Sequence, residues 1–153
     1  VASGAGAQLL LSAALLMYLF PGTRTDEGQD IRQFAERVRQ ATPVTSRIAL
    51  SEVGAFTFYS DRFVIDTVGL TDPESVEWMK ANGSLLRAAQ LDVDQLERFL
   101  IGRRATHYVD AFASAPMIGR RVHFVPVLES PVRRNVESGW SGGIWRLYRV
   151  DPR

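Results

Sequence analysis

Two carboxylates, Glu52 and Asp66, each close a short apolar run, Ile48-Ala49-Leu50 and Phe63-Val64-Ile65, and each is followed by a glycine, Gly54 or Gly69. An ionised carboxylate has two acceptor oxygens and takes paired hydrogen bonds from adjacent hydroxyls, so two of them facing one crevice can hold a sugar. At a suitable separation such a pair can also trade protons in glycoside chemistry, but no other catalytic signature accompanies it here. Tyr59 and Arg62 stand between the two acids and offer a stacking face and a contact for phosphate or carboxylate. The same residues also suit plain structural work. An acid beside a glycine caps a turn or a helix amino terminus, and Asp72 directly ahead of Pro73 is a favoured helix start.

The rest of the chemical inventory is thin. His107 and His123 fall on separate predicted strands, and a metal site needs a third ligand in reach. There is no Ser-His-Asp grouping with a defensible spacing, no G-x-G-x-x-G and no P-loop. Cysteine is absent, which excludes disulfides and thiolate metal sites. Trp140 lies within the turn SGWSGG and Trp145 just after it; an exposed indole there can stack on a sugar ring or sit at a headgroup layer, while Trp145 equally suits a hairpin core. The formal net charge of +1 argues against a nucleic-acid partner, which wants a basic face.

Positioning the two acids at the ends of adjacent strands calls for an α/β fold. Asp30 to Ala41 is amphipathic, with Ile31, Phe34, Ala35 and Val38 on one face, and Thr42-Pro43 ends it. Arg47 to Ser51 is a strand. Glu52 to Tyr59 reads as a short helix turning Val53, Phe56 and either Phe58 or Tyr59 inward. Arg62 to Asp66 is the second strand, and a helix from Pro73 to about Lys80 follows, stopped by Asn82-Gly83. Leu85 to Leu91 is a connector with helical character. Asp92 opens the next helix with Gln95 three residues on, as in a capping box, and Gly102 ends it. Thr106 to Phe112 is a third strand. Arg121 to Leu128 and Ile144 to Val150 form a hairpin. The predicted fold class is therefore α/β, a small sandwich with a short, mostly parallel sheet plus an antiparallel edge hairpin, preceded by one transmembrane helix.

That last element comes from Val1 to Phe20, which carries no charge. Twenty helical residues span about 30 Å, the thickness of a bilayer core. Pro21-Gly22 would stop the helix and Arg24 is the first charge. Small residues at Ser3, Gly4, Gly6 and Ala7 suit packing against neighbouring membrane helices. With Val rather than Met at its head, the chain reads as the carboxyl-terminal piece of a longer membrane protein, residues 1–22 being its last span and residues 23–153 an extracytoplasmic α/β domain.

Across Arg47 to Pro73 the pattern is a strand, then Glu52, Gly54, Ala55 and Tyr59, a second strand, then Asp66, Gly69, Leu70, Asp72 and Pro73. This resembles the soluble tail domain of bacterial polytopic glycosyltransferases of the GT-C superfamily, which use polyprenyl-phosphate sugars. The preceding hydrophobic span, the amphipathic helix and the closing Leu147-Tyr148-Arg149 are similar in order and spacing. The resemblance implies an enzyme of the bacterial inner membrane that moves a sugar onto a cell-envelope glycan or lipid, with this domain on the extracytoplasmic, periplasmic side near the acceptor. In that superfamily the catalytic carboxylate and the lipid donor belong to the membrane part, where any divalent metal would also be held. The resemblance thus implies no catalytic residue and no cofactor here. It leaves Glu52, Tyr59, Arg62, Asp66 and Asp72 as acceptor-binding or turn-capping candidates. The partners it implies are the lipid bilayer, the polyprenyl-phosphate sugar and the glycan or lipid acceptor. Glu52 departs from the usual Asp at its place, keeping the charge on a longer arm. A reading from another class is a membrane-anchored binding or sensor domain without catalysis.

Overall fold

A computed structural model of the chain describes residues 26–51, 53–87, 90–113, 117–131 and 144–153. In chain order the elements are helix α1 (Asp26–Ala41), strand β1 (Arg47–Leu50), helix α2 (Val53–Ser60), strand β2 (Phe63–Asp66), helix α3 (Pro73–Asn82), the short strands β3 (Leu86–Arg87) and β4 (Gln90–Leu91), helix α4 (Val93–Gly102), and strands β5 (His107–Ala113), β6 (Val122–Pro131) and β7 (Ile144–Pro152). Five of the strands form one sheet in the order β2-β1-β5-β7-β6. β1 pairs in parallel with β2 and β5, while β7 pairs antiparallel with β5 and β6. The expectation of a mostly parallel sheet thus holds for its first half, and the long β6–β7 pair makes the whole sheet mixed. β6 forms the edge and β7 lies inside, inserted between β5 and β6.

Side chains alternate across a strand, and here the alternation sorts the core into two layers. Ile48 and Leu50 of β1, Val109 of β5, and Trp145 and Leu147 of β7 point to one face, where they meet Phe34, Ala35 and Val38 of α1 and Phe56 of α2. Ala49, Ile65, Tyr108, Tyr148 and Val150 point to the other, under Leu96, Phe99 and Leu100 of α4 and Trp78 and Met79 of α3. The protein is therefore a helix–sheet–helix sandwich. β6 serves both layers. Val122 and Phe124 belong with the α4 layer, yet Leu128 packs in the α1 layer. An even-numbered spacing would keep all three on one face; the register shift between Pro126 and Leu128 inserts one residue and reverses the parity.

Several boundaries differ from the sequence reading. α1 opens at Asp26, one turn ahead of the expected Asp30. The connector after α3 is a small antiparallel hairpin, Leu86 opposite Leu91 and Arg87 opposite Gln90, because Leu85 is buried and its carbonyl accepts from the Asp92 N–H at 2.8 Å. In α2 Phe56 is buried and Tyr59 half-buried, while Phe58 is 80% exposed. No helix among the described residues is long and apolar enough to cross a membrane. The span expected at residues 1–22 lies outside the described residues.

Candidate functional site

In an open α/β sheet, ligands sit at the carboxyl ends of parallel strands, where successive connections depart to opposite faces. β1 leads to α2 on one face, and β2 leads to α3 on the other. The two strands run side by side, Leu50 opposite Asp66, and the Thr67 N–H donates to the Leu50 carbonyl at 3.0 Å. Glu52, two positions after β1 in the sequence, lies outside the described residues.

Asp66 organises the β2 exit. One carboxylate oxygen accepts the N–H groups of Val68 (2.8 Å) and Gly69 (3.0 Å); the other accepts the N–H (2.8 Å) and hydroxyl (3.0 Å) of Thr71. The side chain is 1% exposed. Burial by itself would raise its pKa, but the bonds from Thr71, Val68 and Gly69 outweigh it and hold the carboxyl below its ordinary value. Gly69 completes the turn at φ +80°, and a Cβ there would lie 2.8 Å from Met79 Cε and 3.0 Å from Val76 Cγ2. The loop therefore needs glycine for its backbone and for its packing on α3.

Asp72 starts α3. Its side chain accepts from the N–H groups of Glu74 (3.1 Å) and Ser75 (3.4 Å) and from the Ser75 hydroxyl (2.7 Å). It also accepts from Arg103 at 2.7 Å. Arg103, at the end of α4, also pairs with Glu74, and its carbonyl accepts from Arg47 at 3.2 Å.

Arg62 stands at the opposite end of β2, separated from Asp66 by about 13 Å of strand. Its guanidinium donates to the Thr42 hydroxyl (3.2 Å), the Thr42 carbonyl (2.7 Å), the Asp61 carbonyl (2.8 Å) and the Arg39 carbonyl. Those acceptors include the Arg39 carbonyl, one of the last four of α1, and the hydroxyl and carbonyl of Thr42 just after the helix, so Arg62 is a helix C-cap supplied from a distance. The Tyr59 ring packs edge-on to Phe58 at 5.0 Å between centroids and carries the Arg32 guanidinium at 5.1 Å. The four described candidates therefore do not converge. Asp66 and Asp72 share one loop, Tyr59 and Arg62 lie around the far end of α2 with Arg62 capping α1, and the hydrogen-bonding capacity of Asp66, Asp72 and Arg62 is turned inward.

The histidines also stay apart. His107 on β5 lies opposite Arg149, and His123 on β6 lies opposite Asp151, with β7 between them. His107 is buried and its Nδ1 is 2.9 Å from the Thr106 hydroxyl. Burial, and then the charge of Arg149, push its pKa down against the pull of Asp151. Among the described residues no three His, Asp or Glu side chains gather closely enough to hold a metal ion.

One buried acid escapes the sequence reading. Glu97, 1% exposed, accepts from the N–H groups of Arg121 (2.9 Å) and Val122 (3.1 Å) and fastens α4 to the start of β6. Its signal was present: it lies on the stripe Val93, Leu96 and Leu100, where a charge is out of place unless it has partners.

The sandwich, with its polar groups spent on one strand-exit loop, defines a scaffold whose edge is shaped by a buried carboxylate. The chain belongs to the family described as Domain of unknown function (DUF8728), whose model matches residues 21–144. No curated protein and no solved structure matches it.

Proposed function

We propose that the chain is the carboxyl-terminal part of an integral-membrane glycosyltransferase. The whole protein moves a sugar from a polyprenyl-phosphate donor onto a cell-envelope glycan or lipid. This domain lies on the extracytoplasmic side of the bacterial inner membrane and shapes the acceptor side. The observation that carries the reading is the use made of Asp66. The residues that bear the resemblance, Asp66, Gly69, Asp72 and Pro73, together build one rigid loop at the carboxyl end of β2. Asp66 is saturated by four hydrogen bonds and Asp72 by the α3 cap and Arg103. Such residues fix the form of a surface and leave proton transfer to groups elsewhere, as a transferase with its catalytic carboxylate in the membrane part requires.

The test is transfer of labelled sugar from a polyprenyl-phosphate donor by membranes carrying the full reading frame. Transfer is expected, with loss on deletion of residues 23–153, and none from purified residues 23–153. Absence of transfer from every such donor, or turnover by residues 23–153 alone, overturns the proposal.

A further inference from the structure

We infer that the cross-strand row of Asp110, Arg146 and Glu129, at the carboxyl end of β5, is a binding site for a neutral, hydroxyl-rich ligand, a sugar ring of the acceptor. The inference rests on the proposed function for the source of that ligand and adds the residues that hold it.

Register builds the row. On the sheet face under α4, Tyr108 of β5 and Tyr148 of β7 lie opposite each other and belong to the buried layer. Two residues nearer the carboxyl end of β5, strand alternation brings Asp110 and Arg146 to the same face, again opposite each other. Glu129 of β6 lies opposite Arg146 on its other side and accepts from its Nε at 2.7 Å. Acid, base and acid thus stand on three adjacent strands, about 10 Å from first to last. The sheet is irregular on both flanks of the row. The pairing of β5 with β7 shifts between Asp110 and Ala113, and that of β6 with β7 shifts between Pro126 and Leu128. The second shift decides the chemistry. Pro126 faces Tyr148, so a regular ladder would set Leu128 against Arg146; the inserted residue puts Glu129 there instead. Bulges gather next to binding sites because they re-aim side chains in this way.

Arg146 is incompletely used by the fold. Its side chain is 13% exposed, and its Nη1 is buried with no hydrogen-bond partner among the described residues. The Tyr148 hydroxyl, which accepts the Met117 N–H at 3.2 Å, is also within reach of the guanidinium. A guanidinium does not give up its proton, so an unmet donor on it calls for an acceptor oxygen. The carboxylate that screens it belongs to an edge strand: the Glu129 side chain is 51% exposed. A rotamer change there, of the kind that binding commonly brings, admits a ligand oxygen to the guanidinium.

Charge selects the ligand. A carboxylate or phosphate would meet a guanidinium already balanced by Glu129, with the charge of Asp110 beside it, and a cation would meet the guanidinium itself. A neutral hydroxyl suits both kinds of group, because its oxygen accepts from Arg146 while its proton goes to a carboxylate. Neighbouring hydroxyls on one sugar ring answer the alternation of the row. Asp110 takes part whatever else it bonds, since a carboxylate offers about four acceptor sites. The place also fits: β5 runs parallel to β1, and ligands of open α/β sheets collect at the carboxyl ends of such strands.

The probes are glucose, galactose, mannose and arabinose, with glucuronate and glucose 6-phosphate as anionic counterparts. Saturation-transfer NMR reads their binding to the full chain in a detergent whose head group is not a sugar. At least one neutral sugar is expected to bind. Glu129→Gln and Arg146→Lys are each expected to weaken it about tenfold, the worth of one hydrogen bond to a charged group. Arg149→Gln removes a similar pair, with Asp151 at 2.8 Å, toward the other end of β7 and is expected to leave binding unchanged. Circular dichroism checks that each variant is folded, and Glu129→Gln, at an exposed edge position, carries the test where Arg146→Lys is not. Failure of every neutral sugar to bind overturns the inference. So does tighter binding of glucuronate or glucose 6-phosphate, which marks an anion site, or equal weakening by Arg149→Gln. Sugar binding at the row without sugar transfer by the full reading frame would sink the proposed function and keep the site; transfer without such binding would do the reverse.

Discussion

The guanidinium of Arg103 meets the carboxylate of Asp72 at 2.7 Å with both side chains largely out of solvent, 8% and 15% exposed. The end of α4 is thereby tied to the start of α3, the helix that follows the loop built by Asp66. Two buried charges that face each other are neutral to stability at best, but one left alone is costly. Arg103→Met should destabilise the fold by about 3 kcal/mol, because Asp72 then keeps its largely buried charge with its helix-cap hydrogen bonds but without a cation to balance it. Adding Asp72→Asn should return much of that loss, since Asn removes the charge and remains a good helix cap. Chemical unfolding of both variants decides the matter. An equal loss in the single and the double variant would mean that the charge of Asp72 is not what Arg103 compensates.

Asp66 predicts an acid limb. Its folded pKa lies below the ordinary 3.8, so the unfolded chain takes up the proton first as the pH drops. The stability it contributes is complete above that ordinary value and is lost as the pH falls through it toward the folded value. Asp66→Asn places an amide NH2 where N–H donors converge and leaves at least one of them unmet, at a cost of about 1–3 kcal/mol at neutral pH. Denaturation across the acid range should show a lower plateau and a flatter limb for the variant. An unchanged limb would assign acid sensitivity to other carboxylates.

The two glycines that follow the acids should respond with opposite signs. Gly69 has φ +80° and would push a Cβ into Met79 and Val76. Gly69→Ala should therefore cost about 1–2 kcal/mol from backbone strain alone, and shortening Met79 would relieve only the contact. Gly54 lies inside α2, and a Cβ added there would meet nothing within 4 Å. Gly54→Ala should raise stability by about 0.5–1 kcal/mol through helix propensity. Thermal unfolding of the pair tests this directly; destabilisation by Gly54→Ala would show that α2 is strained or covered.

These contrasts mark how far the residues themselves announce the structure. Local signals were legible. Asp72-Pro73 opens α3, and Asp92 accepts from the Gln95 N–H at 3.1 Å at the start of α4. Even there the expected box closes only halfway, because the Gln95 amide reaches back to the Asn82 carbonyl at 2.7 Å. The parallel pairing of β1 with β2 and β5 followed from apolar runs alternating with helices. What sequence spacing does not carry is long-range partnership. Nothing near Arg62 marks it as the C-cap of α1, and nothing near Arg103 names Asp72. The bulge that sends Leu128 to the other layer is one extra residue without a composition signal. The candidate site suffered most from this. Its residue types suited sugar hydroxyls, but types do not show whether hydrogen-bonding capacity points outward, and in Asp66 and Arg62 it points in.

His107 supplies the last prediction. It is buried at the start of β5 opposite Arg149, with Thr106 on its Nδ1, and Asp151 pairs with Arg149 at 2.8 Å. Burial and the Arg149 charge depress its folded pKa below the ordinary 6.5, while Asp151 opposes them. For a base with a depressed folded pKa, the unfolded state binds the proton first. Stability is therefore complete above 6.5 and declines as the pH falls below it toward the folded value. His107→Gln, neutral throughout, should remove that mild-acid decline and leave the steeper limb of Asp66 untouched at lower pH. Arg149→Ala should shrink the decline without abolishing it, because burial, the larger cause, remains. Unfolding free energies measured between neutral pH and the carboxylate range separate the two limbs. A wild-type chain with no decline below 6.5, or a His107→Gln variant that keeps it, would show that this imidazole titrates as freely in the fold as in the open chain.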